Sequence, residues 1–249
     1  MLHDAALVAV AAAALLAGVP AHADADASAL LRTADAFRTA AGAMQVDTAV
    51  VVLSRDGSVD KQRDYTVYLQ GTHRSLVLMR SPAEAGQKVL MLGDDFWLLM
   101  PNSQRPLRIT PSQKLLGDAS TGDIATLSWS EDYAGRVVGE ERCGDVACTH
   151  LSLAATRKGV SYQRIELWLG LPRHEPLQAD LYVQSDKLAK QARFVMAPGT
   201  QPRQVDEMVL VDQLSNHKET RVKYLRRVPR VVPETWLNPM FLAHNPALE

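Results

Sequence analysis

Apolar and polar residues alternate in short runs along most of the chain, a pattern that predicts β-strands. Tyr65, Val67 and Leu69, for example, alternate with Thr66 and Gln70. The predicted strands cover residues 44–54, 59–70, 74–80, 89–92, 96–100, 105–109, 134–142, 146–156, 160–170, 176–184, 189–196, 204–214 and 218–228. Strands spaced in this way and joined by turns indicate an antiparallel meander that curls into a barrel or half-barrel.

The stretch at residues 89–109 departs from this alternation. Residues 89–92 and 96–100 are continuously apolar, and Gly93-Asp94-Asp95 joins them with residue types that tolerate a tight turn. A strand with one solvent-exposed face would show alternating apolar and polar residues. Both faces of this hairpin are therefore expected to be covered, either by protein or by an apolar ligand.

Helical patterns are confined to two segments. Residues 27–41 place apolar side chains on one face at helical spacing, and Gly42 is expected to end that helix. Residues 111–133 predict irregular chain with a short helix over 123–128, for which Asp123 is the expected N-cap. The apolar tail at residues 235–242 is expected to dock on the sheet.

The N-terminus has the pattern of an export signal. Residues 5–19 are apolar or small, and Ala21-His22-Ala23 forms an A-x-A cleavage site, which predicts a signal peptide over residues 1–23. The apolar run is shorter than the roughly 20 residues that a membrane-spanning helix needs. The expected mature chain, residues 24–249, contains no linker or repeat, and we interpret it as one periplasmic domain.

The two cysteines, Cys143 and Cys148, are separated by a Gly-Asp turn signal. In an exported chain, two close cysteines predict a disulfide, here one that joins the strands of a hairpin. A zinc site would need four ligands, and only His150 is near. No metal or other cofactor is predicted.

The sequence contains no G-x-S-x-G elbow, no H-E-x-x-H motif and no glycine-rich phosphate loop. Its histidines occur singly, and Asp94 and Asp95 are interpreted as turn residues that point apart. The prediction is therefore a protein that is not an enzyme.

The charge balance does not favour a nucleic-acid partner, because the chain has 27 Lys and Arg residues and 28 Asp and Glu residues. Residues 218–230 are locally basic. They are interpreted as a solvated or charge-guarded strand face, and the alternative is a surface for an anionic head group or an acidic partner.

Several short motifs follow one another in a characteristic order. They are residues 80–82, 86–90, Phe96-Trp97, Met100-Pro101, Arg105, Arg108-Ile109, 122–123, Leu127, 131–133, 138–141, 162–169, Pro176 and 190–194. Their order and spacing resemble the outer-membrane lipoprotein-sorting family, the LolA-like proteins. Relatives in this family are expected to carry Tyr or a similar residue where Met100 stands.

This resemblance implies an incomplete antiparallel β-barrel covered by helices, with an apolar cavity that receives acyl chains. It implies a monomeric periplasmic carrier of lipoprotein acyl chains or other lipids, with an inner-membrane exporter as partner. The alternative is a lipid-sensing or scaffold protein of the cell envelope. The residues predicted to line the cavity are Leu78, Leu90, Leu92, Phe96, Leu98, Met100, Trp129, Leu167, Leu181 and Met196.

Overall fold

The computed structural model describes residues 22–39, 42–125, 128–199, 204–212 and 219–244. The α-helices are α1 (His22–Ala36) and α2 (Thr121–Ala125). The strands are β1 (Met44–Leu53), β2 (Val59–Leu69), β3 (Arg74–Met79), β4 (Lys88–Leu92), β5 (Asp95–Leu99), β6 (Leu107–Ile109), β7 (Lys114–Leu116), β8 (Ala119–Ser120), β9 (Tyr133–Cys143), β10 (Val146–Ala155), β11 (Arg164–Gly170), β12 (Glu175–Tyr182), β13 (Leu188–Met196), β14 (Val205–Val211) and β15 (Glu219–Pro229). Single 3-10 turns lie at Pro82–Glu84, Glu234–Leu237 and Pro239–Phe241.

One antiparallel sheet contains 13 of these strands, in the order β6-β5-β4-β3-β2-β1-β15-β14-β13-β12-β11-β10-β9. Each strand pairs with its neighbour along the chain, except where β1 pairs with β15 and joins the two halves of the meander. Strands β6 and β9 form the two edges, so the sheet is not closed into a barrel. The predicted open, antiparallel half-barrel is confirmed.

The sheet is strongly curled, as a contact between distant strands shows. Asp94 lies in the β4–β5 turn and Arg157 in the β10–β11 loop, yet the Arg157 Nε donates a hydrogen bond of 2.7 Å to the Asp94 carboxylate. Between these positions lie at least eight strand spacings of ~4.8 Å, or roughly 40 Å along the sheet. Only curling brings the two ends together.

The main core fills the inside of this curl, and the apolar face of α1 packs into it through Ala27, Leu31 and Ala34. Side chains from nearly every strand of the sheet point into the same core. In β4, Val89 and Met91 belong to it, whereas Leu90 between them points to the other face. All three are at most 1% exposed. The prediction that both faces of the hairpin are covered is confirmed, and protein covers both.

The second face of β2–β5 is covered by the C-terminal segment. Val232, Leu237 and Leu242 are buried there against Leu76, Leu90 and their neighbours. Polar contacts fix its position: Glu234 pairs with Arg74, and the Lys88 Nζ donates to the Leu242 carbonyl at 3.1 Å. The expected docking of the tail on the sheet is confirmed.

The predicted disulfide is confirmed. Cys143 and Cys148 are bonded, with their Cα atoms 5.9 Å apart, at the end of the β9–β10 hairpin. Gly144 adopts a φ of +62° in the turn between them, a conformation that glycine accepts without steric cost.

Several predicted element bounds are wrong, and three of them have a structural reason in nearby contacts. Helix α1 ends at Ala36 instead of residue 41, because the Phe37 carbonyl turns away to accept a hydrogen bond from Val205 N at 2.7 Å. Helix α2 begins at Thr121, so Asp123 lies inside it and its carboxylate reaches back to the N–H of Ser120. Strand β11 begins at Arg164 instead of residue 160, because the preceding loop forms the contact with Asp94.

The predicted signal peptide, residues 1–23, lies outside the described residues except for His22 and Ala23 at the start of α1. Among the described residues, none of the helices combines the length and the apolar character needed to cross a membrane.

We predict that Leu237→Ala lowers the free energy of unfolding by about 2–3 kcal/mol, since it removes a buried side chain and leaves a cavity between the C-terminal segment and the sheet. Urea unfolding followed by circular dichroism measures this change.

The matched control is Val231→Ala in the same segment, where the side chain is 76% exposed. The control should change the free energy of unfolding by less than ~0.5 kcal/mol. Equal effects of the two substitutions would contradict the packing role of the segment.

Candidate functional site

A pocket of about 410 Å³ lies beside the C-terminal end of α1. Its apolar lining residues are Ala36, Met44, Leu69 and Ala125, and most of the others are polar. The remaining lining residues are Arg32, Asp35, Thr39, Gly42, Gly71, Thr72, Ser128, Ser130 and Glu131. The volume falls within the roughly 300–1,000 Å³ of small-molecule sites.

A buried carboxylate forms one wall of this pocket. Asp35 accepts hydrogen bonds from the backbone N–H groups of Trp129 and Ser130, both at 2.8 Å, and from the Ser128 Oγ at 3.2 Å. Three donors from one loop stabilise the charged form of a carboxylate that is largely removed from water. Asp35 therefore fixes the 128–130 loop against the end of α1.

Arg38 lies one helical turn further along the chain, next to this contact. Its guanidinium carbon is 3.8 Å from the centre of the Trp129 ring, and Trp129 in turn packs edge-on against Phe194. The Arg38 Nη1 is 3.7 Å from the Asp35 Oδ1, too far for a hydrogen bond, and the residue is 8% exposed. Arg38 is thus a buried cation held by an ion pair and an aromatic face.

Behind Arg38 lies a second, smaller cavity of about 50 Å³. It adjoins the larger pocket at Ser128, which lines both. Apolar walls surround its polar end. They are formed by Trp129, Val160, Ile165, Leu181, Ala192, Phe194 and Met208.

One side of the small cavity is a buried polar network around Asp123. The carboxylate accepts hydrogen bonds from the Lys190 Nζ at 2.7 Å, the Tyr162 hydroxyl at 2.7 Å, and the N–H and hydroxyl of Ser120. Burial alone would raise the pKa of Asp123, but the Lys190 charge and these donors outweigh it and hold that pKa below its usual value. The same burial and the Asp123 charge raise the pKa of Tyr162 well above its usual value.

A second network closes one end of the curled sheet. The buried Asp132 carboxylate contacts the Arg157 Nη1 at 2.9 Å and the His73 Nε2 at 2.7 Å, while Asp94 accepts from Arg157 and from the Gly159 N–H. Desolvation would raise the pKa of Asp94, but Arg157 and Gly159 hold it below its usual value. A Cβ at position 159 would lie 2.4 Å from the Asp94 Cα, so only glycine permits this approach.

The structure divides the ten residues predicted to line a cavity between the two faces of the sheet. Phe96, Trp129, Leu167 and Leu181 are buried in the main core, and Leu98 and Met196 pack against it. Leu78 and Leu90 are buried under the C-terminal segment on the other face, and Leu92 packs beside them.

Met100 follows β5 and is 40% exposed. Of the ten residues, Trp129 and Leu181 line the small cavity. The larger pocket is lined by other residues.

Asp35, which lines the larger pocket, and Arg38, which lines the small cavity, were missed by sequence reasoning. A signal for them exists: they follow Leu31 at intervals of four and three residues, so a helix places them on the buried face of Leu31. Polar residues on the apolar face of a helix indicate a specific partner.

Part of the locally basic segment is neutralised by its neighbours. Arg221 pairs with Glu207 and Glu219, and Lys223 lies 3.9 Å from Glu207. Arg227 and Arg230 donate hydrogen bonds to the neutral Val205 carbonyl and Gln45 Oε1. These contacts favour the interpretation of the segment as a solvated strand face. Among the described residues, no group of three or more His, Cys, Asp and Glu side chains is placed to hold a metal ion.

We predict that Asp123→Asn lowers the free energy of unfolding at pH 7 by about 3 kcal/mol, because it leaves the Lys190 ammonium buried without a counter-charge. The folded-state pKa of Asp123 is below its ordinary value of 3.8, so its contribution is complete above that pH and is lost as the pH falls through the folded-state pKa. The difference between wild type and variant should therefore shrink below pH 3.8. Urea midpoints measured from pH 7 downwards test this expectation.

The control is Asp186→Asn, which removes a mostly exposed carboxylate paired with Arg164. It should cost less than ~1 kcal/mol at every pH. A constant difference for Asp123→Asn over the whole pH range would refute the assigned role of its charge.

Known structures resemble this chain over most of its length. A LolA superfamily protein from Nitrosomonas europaea has 28% identity and a TM-score of 0.76, over 85% of this chain and 97% of its own. An outer membrane lipoprotein-sorting protein domain from Vibrio parahaemolyticus has 16% identity and a TM-score of 0.70, over 88% and 99% of the two chains. A DUF1329 family protein from Desulfovibrio piger has 20% identity and a TM-score of 0.68, over 87% and 97%.

No functionally curated protein matches the sequence. The profile of a family described as uncharacterized proteins matches residues 71–244, which is more than half of the chain. That segment contains most of the sheet, both buried aspartate networks and the C-terminal segment that covers β2–β5. The chain belongs to this family, and the family is LolA-like.

Proposed function

We propose that this protein is a periplasmic carrier that binds the acyl chains of lipoproteins or other lipids in the pocket beside α1. The observation that carries the proposal is the position of that pocket, at one side of an open, curled sheet and next to the helix that packs into it. The similarity to a LolA superfamily protein and to a domain named for outer membrane lipoprotein sorting supports it.

The pocket suits reversible binding of an acyl chain. Burying each CH₂ is worth about 0.8 kcal/mol, so complete burial of a sixteen-carbon chain would yield on the order of 12 kcal/mol. The apolar lining of this pocket comprises few side chains, and much of its wall is polar. It would recover only part of that free energy. Moderate binding allows a carrier to load and to release its cargo.

Three buried carboxylates favour a carrier over an enzyme. Asp35 in this pocket binds the 128–130 loop, and in the small cavity Asp123 binds Lys190 and Tyr162 while Asp132 binds Arg157. Each of these three carboxylates holds two elements together, which does not suit a base that activates a nucleophile. We assign the direction of transfer to a partner, an exporter in the inner membrane, because binding of this kind does not favour either membrane.

The proposal predicts that filling the pocket blocks lipid binding. Thr39→Trp places a large ring in the pocket and should weaken the binding of a fluorescent fatty acid by about tenfold or more, a loss of ~1.4 kcal/mol. Fluorescence titration of the delipidated protein measures the dissociation constant.

Thr33→Trp is the matched control, because Thr33 is an exposed residue of α1, the helix that precedes Thr39, and does not line the pocket. The control should bind like wild type, and both variants should keep the circular dichroism spectrum of the wild type. Undiminished binding by a folded Thr39→Trp variant would place the lipid elsewhere. Failure of the wild type to bind any lipid would refute the carrier function.

A further inference from the structure

The small cavity contains two buried polar groups that have no hydrogen-bond partner among the described residues. One is the Arg38 Nη1 and the other is the Ser161 Oγ. A buried donor without a partner costs about 1–3 kcal/mol, and more when it is charged, so native structures rarely leave one unexplained. Two such groups in one cavity indicate that something of complementary chemistry occupies it.

The other polar groups around the cavity are already engaged. The Tyr133 hydroxyl donates to the Tyr162 carbonyl at 3.0 Å, and the Tyr162 hydroxyl donates to Asp123. Lys190 and Asp123 neutralise each other. The Asp35 carboxylate, which lies 3.7 Å from Arg38, accepts hydrogen bonds from three donors of the 128–130 loop. The guanidinium is therefore the cationic group with hydrogen-bonding capacity to spare.

We propose that Arg38 and Ser161 bind the carboxylate of a fatty acid whose chain lies in the larger pocket, an inference that rests on the proposed lipid-carrier function. A guanidinium fork and a hydroxyl match the two oxygens of a carboxylate. The cavity volume of about 50 Å³ accepts such a small group and excludes a bulky head group. Ser128 lines both cavities, so the small cavity adjoins the larger pocket at this residue.

Chain and carboxylate contribute differently to this binding. The chain contributes free energy through burial, whereas the carboxylate contributes discrimination, because a site that holds a buried cation rejects a ligand that cannot neutralise it. The Trp129 face beneath the guanidinium and the apolar walls exclude water, which strengthens the ionic contact. The protein should therefore prefer a fatty acid over the neutral alcohol of the same length.

The test compares the binding of hexadecanoate and hexadecanol to the delipidated protein at pH 8, with displacement of a fluorescent lipid as the readout. The wild type should bind the acid at least tenfold more tightly than the alcohol. Arg38→Met should lose this preference through weaker binding of the acid, while its affinity for the alcohol stays the same. Arg55→Met, the same change at an exposed turn remote from the pocket, should keep the preference.

A second measurement separates a direct contact from a structural effect. In carbon NMR of hexadecanoate labelled at its carboxyl carbon, the bound acid should titrate at a lower pH on the wild type than on Ser161→Ala. It should titrate at a still higher pH on Arg38→Met. Ser161→Ala removes only a hydroxyl, so this comparison holds even if Arg38→Met is destabilised.

Each remaining outcome decides between the two proposals. Equal affinity of the wild type for acid and alcohol would overturn the carboxylate site alone and leave water as its occupant. Arg38-dependent binding of inorganic phosphate without binding of hexadecanoate would identify a free-anion site and overturn the lipid assignment. Binding of neither hexadecanoate nor hexadecanol would refute the carrier function itself, and the carboxylate site with it.

Discussion

Burial of both faces of strands β2 to β5 is the constraint on which the rest of the structure depends. Residues such as Val89, Leu90 and Met91 are consecutive and fully buried, so each face of this part of the sheet needs its own cover. The curl of the sheet and α1 cover one face, and the C-terminal segment covers the other. Both covers come from parts of the chain far from the hairpin in sequence. The hairpin therefore requires the whole domain to be assembled.

Curling the sheet creates a second problem, because its edges must be held without closing the barrel. Ion pairs solve it at one end, where Arg157 joins Asp132 to Asp94 across the curl. The other contacts are made by buried aspartates, with Asp35 holding the 128–130 loop and Asp123 holding β13 through Lys190. These are point contacts, unlike a continuous ladder of hydrogen bonds. They leave room between the elements, and the two cavities occupy that room.

The candidate site follows from this arrangement. The open sheet leaves space beside the end of α1, and a carrier of lipids needs such a space with a wall that is neither wholly apolar nor wholly polar. The buried cation at Arg38 lines the small cavity and pairs with Asp35, which lines the larger pocket, so Arg38 is part of the scaffold and also contacts the proposed carboxylate.

Much of the fold was predictable from local pattern. The strand sequence, the disulfide between Cys143 and Cys148 and the two-sided cover of the hairpin all follow from residue type and spacing, because alternation and turn chemistry act over a few residues. The open half-barrel and the family resemblance were likewise recognised from the order of short motifs. The helix limits were less predictable, since Ala36 ends α1 through a hydrogen bond between Phe37 and Val205, which is distant in sequence.

The site was decided by tertiary structure. Which face each apolar residue of the hairpin meets depends on where the C-terminal segment docks, and for this reason Leu90 and Phe96, both predicted to line one cavity, lie on opposite faces. Asp35 and Arg38 find their partners only in the 128–130 loop, which the curl of the sheet brings next to them. Local sequence thus determines which residues are apolar enough to be buried, whereas long-range packing determines what each of them is buried against.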